Sequence, residues 1–145
     1  MRVYLDNCCY NRPYDDQGQI LVFLETQAKL EIQRRIKQGE IELVSSYMLD
    51  FEQDQNPYVK QKFAIEKFIR DYASYYVDYD KSSIILERAK SIMETGIKYK
   101  DAIHVACAIE AKCDYLISAD KRLLKFESDK IKLINPIDFA GMKGY

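Results

Sequence analysis

The stretch KYKDAIHVACAIEAKCDYLISADKRLL, residues 98–124, largely decides how this chain is expected to fold. From Asp101 onward it is rich in small and apolar residues, which predicts a helix that packs closely against a sheet. The run YLIS at 115–118 then predicts a short strand, and Asp120 follows it. A helix that leads directly into a strand is typical of an α/β protein. The stretch therefore predicts one carboxylate where the helix begins and another just beyond the strand's carboxyl end.

The chain opens with a similar arrangement. The residues MRVYLD predict a strand over 2–5 that runs directly into Asp6. In parallel α/β sheets, ligands bind outside the carboxyl ends of the strands, at the point where the strand order reverses. If the first and fourth strands are neighbours there, Asp6 and Asp120 face each other across the crevice.

Helical and strand patterns alternate between these two ends. The helices are predicted over 19–37, after the caps Ser45 and Ser46, from Pro57 onward, from Ser82 or Ser83 to Gly96, and from Asp101. The remaining strands are predicted over 41–44, 75–79 and 131–134, and residues 11–19 form a polar connection. In the helix after Pro57, we expect an inward face of Phe63, Phe68, Ile69 and Tyr72. This alternation predicts an α/β fold, with a central parallel sheet of about five strands flanked by helices.

Composition and charge narrow the class of protein. The 145 residues, 48% hydrophobic and 31% charged, indicate a single globular domain over 1–145. No apolar run approaches the roughly 20 residues that span a bilayer. The four cysteines have neither disulfide-framework nor zinc-finger spacing, so we expect a cytoplasmic protein with reduced thiols. The net charge of −1 argues against a passive nucleic-acid coat protein but not against a nuclease, because a metal ion can supply positive charge locally.

The predicted acids form a candidate metal site. Asp6, Asp101 and Asp120 are joined by an acid on the helix after Ser46, where Asp50 and Glu52 are both candidates and Glu52 is preferred for its longer reach. Converging carboxylates repel one another unless a cation is present, and oxygen-only ligands favour Mg²⁺ or Mn²⁺ over zinc. One or two such ions would suit phosphodiester hydrolysis.

These pieces resemble the PIN domain, a small α/β nuclease module found in bacterial toxins similar to the VapC type and in RNA-processing enzymes. The resemblance rests on VYLDN, SSYMLDFE and the 98–124 stretch, and covers essentially the whole chain. It implies a three-layer sandwich and a Mg²⁺- or Mn²⁺-dependent ribonuclease of a toxin–antitoxin pair, with RNA as substrate, an antitoxin as partner and a homodimer as assembly. The acidic ligands it implies are Asp6, Glu52, Asp101 and Asp120.

Supporting residues are also implied by the resemblance. Ser118 matches the small hydroxyl that accompanies the last acid. Asn7 follows Asp6 directly, and Cys8 stands where many members of the family have an asparagine, which is a departure from the pattern.

Nearby basic and aromatic residues are candidates for substrate contacts. Phosphate contacts favour Lys and Arg, and the basic residues beside the acids are Arg12, Lys98, Lys100 and Lys121. Exposed tyrosines stack on unpaired bases, and those expected near the rim are Tyr10, Tyr14, Tyr47 and Tyr99. His104, flanked by Ile103 and Val105, is interpreted as a packed helix residue and left out of the catalytic set.

Other interpretations stay open. Each acid alone has an ordinary explanation, such as a first-turn residue of a helix for Asp101. A structure-specific DNA nuclease could use the same acids. A catalytically weak PIN fold that binds RNA or protein would differ in metal dependence, because it could lose its ion without losing its partner.

Overall fold

A five-stranded parallel sheet organises residues 1–142, the part of the chain that the computed structural model describes. The spatial order of the strands is β3-β2-β1-β4-β5, and every neighbouring pair is parallel. Their bounds are β1 Arg2–Leu5, β2 Glu42–Ser46, β3 Ala73–Val77, β4 Tyr115–Ile117 and β5 Lys132–Ile134. The α/β class and the five parallel strands are as the sequence predicts.

Seven α-helices flank the sheet within the described residues. They are α1 Asn7–Asn11, α2 Ile20–Lys37, α3 Tyr47–Asp54, α4 Val59–Tyr72, α5 Ser82–Met93, α6 Tyr99–Glu110 and α7 Pro136–Gly141. Short 3-10 turns lie at Arg12–Tyr14, Tyr79–Lys81 and Leu123–Lys125. Together the sheet and the helices on its two faces form a three-layer sandwich.

Side-chain caps explain where two of these helices begin. Ser46, the last residue of β2, accepts a hydrogen bond from the Leu49 amide and so starts α3, as its sequence predicts. Asn135 does the same for α7 by accepting from the Asp138 amide at 2.8 Å, with Pro136 in the first turn.

The strand order reverses between β1 and β4. These strands are neighbours, with Leu5 paired to Ile117, and the Asp6 amide donates to the Ile117 carbonyl at 3.0 Å. The condition under which Asp6 and Asp120 face each other, that the first and fourth strands are neighbours, is met. Asp6 therefore lies at the crevice where open α/β sheets bind their ligands.

The hydrophobic core includes β1 and α6, the two elements next to this crevice. Val3, Tyr4 and Leu5 of β1 are fully buried, as expected for a strand covered on both faces. In α6 every residue from position 102 to position 108 is buried, and three of them are alanines. These small side chains allow the close helix–sheet packing that the sequence predicts.

Several local predictions were wrong. Neither α1 nor α7 was predicted, because each is a single short turn of helix in a polar or proline-containing stretch. Ser82 is the first residue of α5 and not its cap, and β3 begins at Ala73 rather than at 75. Phe68 and Ile69 of α4 are buried, but Phe63 and Tyr72 are exposed.

The described helices include none that is both long enough and apolar enough to cross a membrane.

Candidate active site

Asp6 is held rigidly at the end of β1. The residue is only 5% exposed, and its side chain caps α1 by accepting a hydrogen bond from the Asn7 amide at 2.8 Å. The hydroxyl of Ser118 donates to the other carboxylate oxygen at 2.8 Å. Two elements that meet at the switch point, the ends of β1 and β4, thus fix the orientation of one acid.

Ser118 also connects Asp6 to Asp120. Its hydroxyl oxygen accepts a hydrogen bond from the Asp120 amide at 3.0 Å. The carboxylate of Asp120 accepts from the amides of Arg122 and Leu123, at 2.9 and 3.4 Å, and so organises the turn that follows. The small hydroxyl two residues before the last acid therefore has a clear structural role.

Of the two candidate acids on α3, Asp50 and Glu52, it is Glu52 that is directed toward the site. Its carboxylate hydrogen-bonds Nε2 of His104, on α6. Asp50 is exposed and instead accepts a hydrogen bond from the hydroxyl of Tyr76, on β3. The two side chains point in different directions, as expected for residues two positions apart in a helix.

His104 belongs to a buried chain of polar contacts that sequence reasoning did not find. Its ring is 1% exposed, and its Nδ1 shares a hydrogen bond of 2.6 Å with the hydroxyl of Tyr4. That hydroxyl also lies 2.6 Å from Oγ of Ser46, the cap of α3. On the other side, Nε2 of His104 lies 3.9 Å from Oδ1 of Asp6. His104 is packed, as the sequence indicates, and it also contacts the acids directly.

Asp101 lies in the first turn of α6, and the charges of the other acids affect the pKa of its carboxyl group. Burial raises the pKa of its carboxyl group to about 6, and the negative charges of Asp6, Asp120 and Glu52 act in the same direction. The neighbouring His104 opposes them only partly. Since burial and like charges disfavour ionisation, the carboxyl group of Asp101 keeps its proton to a higher pH than a free aspartate does.

The donor set can be compared with what a metal requires. Carboxylate oxygens without a cysteine or histidine cluster suit a hard divalent cation such as Mg²⁺. Among residues 1–142, however, no three His, Cys, Asp or Glu side chains stand in positions that could hold an ion. Glu52 and Asp120 in particular are turned toward His104 and toward backbone amides. The chemistry of the set fits such an ion, and its side chains would have to rotate to ligate one.

Cys8 fills the position where the resemblance predicts an asparagine. Its half-buried thiol lies 3.4 Å from Oδ2 of Asp6, and it accepts from the Ala119 amide at 3.3 Å. The thiol thus occupies space between the ends of β1 and β4. Asn7 points elsewhere, and its side-chain oxygen accepts from Nε2 of Gln53 at 2.7 Å.

The residues that are candidates for substrate contacts differ in their exposure and in whether their charge is already paired. Arg12 is tied to Asp15 at 2.8 Å and to the buried Glu25 at 3.1 Å, so its charge is largely neutralised. Lys98, Lys100 and Lys121 are exposed, and Nζ of Lys100 lies 5.7 Å from the ring of Phe51. Among the tyrosines, Tyr14 and Tyr99 are exposed as expected, but Tyr10 is only 1% exposed and its placement at the rim was wrong.

Comparisons with known proteins address the fold. No family model matches the sequence, and no curated protein matches it. Among solved structures, VapBC2 from Rickettsia felis bound to a DNA fragment from its promoter has a chain with 13% identity and a TM-score of 0.56. The match covers 93% of this chain and 98% of that one.

Two further solved structures are similar to this chain over most of its length. FitAcB from Neisseria gonorrhoeae matches with 15% identity and a TM-score of 0.56, over 92% of this chain and 97% of that one. FitAB bound to an IR36 DNA fragment matches with 15% identity and a TM-score of 0.57, over 99% of both chains. Identities this low establish the fold alone. The chain has a PIN-like fold, a single parallel sheet between layers of helices.

Proposed function

We propose that this chain is a metal-dependent endoribonuclease that hydrolyses RNA phosphodiester bonds and acts as the toxin of a toxin–antitoxin pair. The observation that carries the proposal is the grouping of the acids at the crevice, where Ser118 bonds both the Asp6 carboxylate and the Asp120 amide, and His104 bonds Glu52 and lies 3.9 Å from Asp6. Repelling acids in a crevice are costly for the protein by themselves, and they are a common feature of functional sites. A divalent cation relieves this repulsion.

The residues that would hold Mg²⁺ or Mn²⁺ are Asp6, Glu52, Asp101 and Asp120. When bound, such an ion lowers the pKa of a water molecule and stabilises charge on the phosphate. The chain's own residues prepare the site: Ser118 orients Asp6, and His104 orients Glu52. Lys98, Lys100 and Lys121 would contact the substrate backbone.

An antitoxin is the proposed protein partner. Six large apolar side chains at the starts of α2 and α4 are 46% to 78% exposed, namely Ile20, Leu21, Phe23, Leu24, Val59 and Phe63. The two helices approach each other at one point, where Nζ of Lys29 on α2 is 5.8 Å from the ring of Phe68 on α4. Exposed apolar groups on adjacent helices are typical of protein interfaces. We propose that an antitoxin or a second copy of the chain covers them, in the cytoplasm where the four free cysteines stay reduced.

The deciding experiment measures cleavage of matched RNA and DNA strands by the purified protein with Mg²⁺, Mn²⁺ or EDTA. Glu52→Gln and Asp50→Asn form a matched pair on the same helix, because each removes one charge but only Glu52 faces the crevice. We expect metal-dependent RNA cleavage that Glu52→Gln and Asp6→Asn abolish and that Asp50→Asn preserves.

Other outcomes would redirect the proposal. Cleavage of DNA alone would indicate a DNA nuclease with the same acids. Cleavage that persists in Asp6→Asn would point to a contaminating enzyme. No cleavage, together with no metal binding at millimolar ion, would leave a PIN fold that acts as a binding module.

A further inference from the structure

A polar cavity opens beside the acids. Its volume is about 560 Å³, and Glu52 forms part of its wall. Three segments enclose it: α1 with the 3-10 turn after it, the end of α3, and the start of α4. This volume lies within the range of about 300–1,000 Å³ found for small-molecule pockets. Asn7, which directly follows Asp6, is also in the wall, so the cavity reaches the acids from two sides.

We propose that this cavity is a nucleobase subsite, which holds one unpaired base of the RNA beside the bond to be cut. The inference rests on the proposed function, because it assigns a role to the surface next to the acids. It adds which part of the RNA binds there and which residues select it.

The charge of the cavity disfavours a phosphate as its occupant. Its wall contains the carboxylates of Glu52 and Asp15 and, among the described residues, neither lysine nor arginine. The nearby Arg12 points its charge at Asp15 and Glu25. Phosphate contacts in nucleic-acid complexes are made largely by Lys and Arg side chains, and the two carboxylates would repel a phosphate even beside the amino end of α4. A neutral part of the substrate is therefore the better fit.

The amides of the wall suit the edge of a base. Gln53 donates to Asn7 at 2.7 Å, and Asn56 donates to Gln53 at 3.3 Å, so these three side chains are mutually oriented. The side-chain amides of Asn11 and Gln61 form no hydrogen bond with any residue in 1–142, although both line the cavity. An amide carries both donors and an acceptor, as does the edge of a nucleobase.

Two tyrosines supply flat apolar surface. Tyr14 and Tyr58 line the cavity and are 44% and 64% exposed. Neither ring stacks on another aromatic ring of the described residues. Exposed tyrosine rings are stacking platforms for unpaired bases in proteins that bind single-stranded nucleic acid. An exposed ring can stack on the face of a base, while an amide without a hydrogen-bond partner can bond its edge. The cavity wall offers both.

The test is a binding measurement. Fluorescence anisotropy with a labelled single-stranded RNA hexamer would be recorded in Mg²⁺, with every protein carrying Asp101→Asn so that the RNA stays intact. The RNA series replaces one nucleotide at a time with an abasic ribose. Tyr58→Ala is compared with Phe63→Ala, since both rings belong to the start of α4 and are 64% exposed, but Phe63 lies outside the cavity wall.

We expect Tyr58→Ala to raise the Kd roughly 5- to 150-fold for intact RNA, the effect of losing one base–ring stack. For the RNA that is abasic at one particular position, the same substitution should leave the Kd unchanged. Phe63→Ala should change neither. Gln61→Ala should reduce the difference in affinity between hexamers that differ in the base at that position.

Two results would overturn the inference. One of them leaves the proposed function intact, and the other overturns it as well. If the wild-type protein cleaves RNA but Tyr58→Ala has the same effect on intact and abasic strands at every position, the subsite is wrong and the proposed function stands. If the protein neither binds nor cleaves any RNA of the series, the proposed function fails and the subsite fails with it.

Discussion

His104 hydrogen-bonds Glu52 across the crevice, although the two residues are 52 positions apart and lie on different helices. The imidazole is almost fully buried, and Tyr4 fixes its orientation from the opposite side. Burial alone would lower the pKa of His104, but the bond to Glu52 and the nearby carboxylates of Asp6 and Asp101 raise it overall. His104 is therefore a positioning residue for Glu52.

His104→Gln should weaken binding of Mn²⁺ about 10- to 100-fold, the usual cost of removing a group that orients a metal ligand. Glutamine keeps a polar side chain of similar length but cannot bridge Glu52 and Tyr4 as the ring does. Titration calorimetry on the protein without RNA measures this effect directly. Tyr4→Phe, which leaves the imidazole in place and removes only its anchor, should have a smaller effect in the same direction.

The opposite result would also be informative. If His104→Gln binds Mn²⁺ more tightly than the wild type, the imidazole competes with the cation for Glu52. Thermal melts of both variants without metal serve as the control, because a general loss of folding would lower affinity for an unrelated reason.

Ser118→Ala should lower the free energy of unfolding by about 2 kcal/mol, because it leaves a buried oxygen of Asp6 without its donor. Ser45→Ala is the matched control. Ser45 is also fully buried and lies in the neighbouring part of the sheet, within β2, but its hydroxyl has no hydrogen-bond partner among the described residues. Urea denaturation should show almost no loss for Ser45→Ala. Equal losses would mean that burial of the serine, and not its bond to Asp6, determines the cost.

Asp101→Asn should raise the melting temperature of the protein without metal by about 3 °C at pH 7.5, equivalent to about 1 kcal/mol after allowance for solvent screening. The folded protein raises the pKa of Asp101 from 3.8 to about 6. The contribution of this group to stability is therefore highest below pH 4 and is lost as the pH rises through 6. Melts at pH 4 should show little difference between the variant and the wild type. If added Mn²⁺ does not reverse the ranking at pH 7.5, Asp101 is not a ligand.

Much of the fold could be predicted because its signals are local. β1 is a run of strand-forming residues, and α6 is a run of small apolar ones, so both could be recognised without knowledge of the rest of the chain. Asp6 and Asp120 follow strands, and the topology of a parallel sheet brings such positions together. Their grouping at the switch point needed one further condition, the adjacency of β1 and β4, which the strand order of the structure meets.

The chain from His104 to Ser46 could not be predicted in this way. His104 contacts Tyr4, which is 100 positions away, and Tyr4 contacts Ser46 on another strand. No spacing within the sequence brings these side chains together. The contacts depend on how α6 packs over β1 and β2, which only the three-dimensional structure specifies.

The first half of α2 illustrates a second limit. Its apolar residues Phe23 and Leu24 recur at helical spacing but are exposed, whereas Glu25 and Lys29 are buried. Glu25 is stabilised by Arg12, from a segment that was predicted to be a simple connection. When a helix carries apolar residues on two faces, periodicity alone does not show which face meets the core.

The buried Lys29 gives the last prediction. Burial lowers its pKa from 10.5 to about 8, and its ammonium group donates to Gln33 at 2.6 Å while lying 5.8 Å from the rings of Tyr10 and Phe68. A depression of this size corresponds to roughly 3 kcal/mol, partly offset in the charged form by contacts with the two rings. Lys29→Met should therefore stabilise the protein by about 2 kcal/mol at pH 7.

The pH dependence separates a charge effect from better packing. Between pH 8 and 10.5 the unfolded chain binds the lysine proton more tightly than the folded protein does, so the stability of the wild type rises with pH in this window. The advantage of Lys29→Met in guanidinium denaturation should accordingly shrink by pH 10. Lys90→Met, on the exposed side of α5, should show neither the gain nor its loss. A gain that is equally large at both pH values would mean that methionine simply packs better against Tyr10 and Phe68, and that the buried charge costs the protein little.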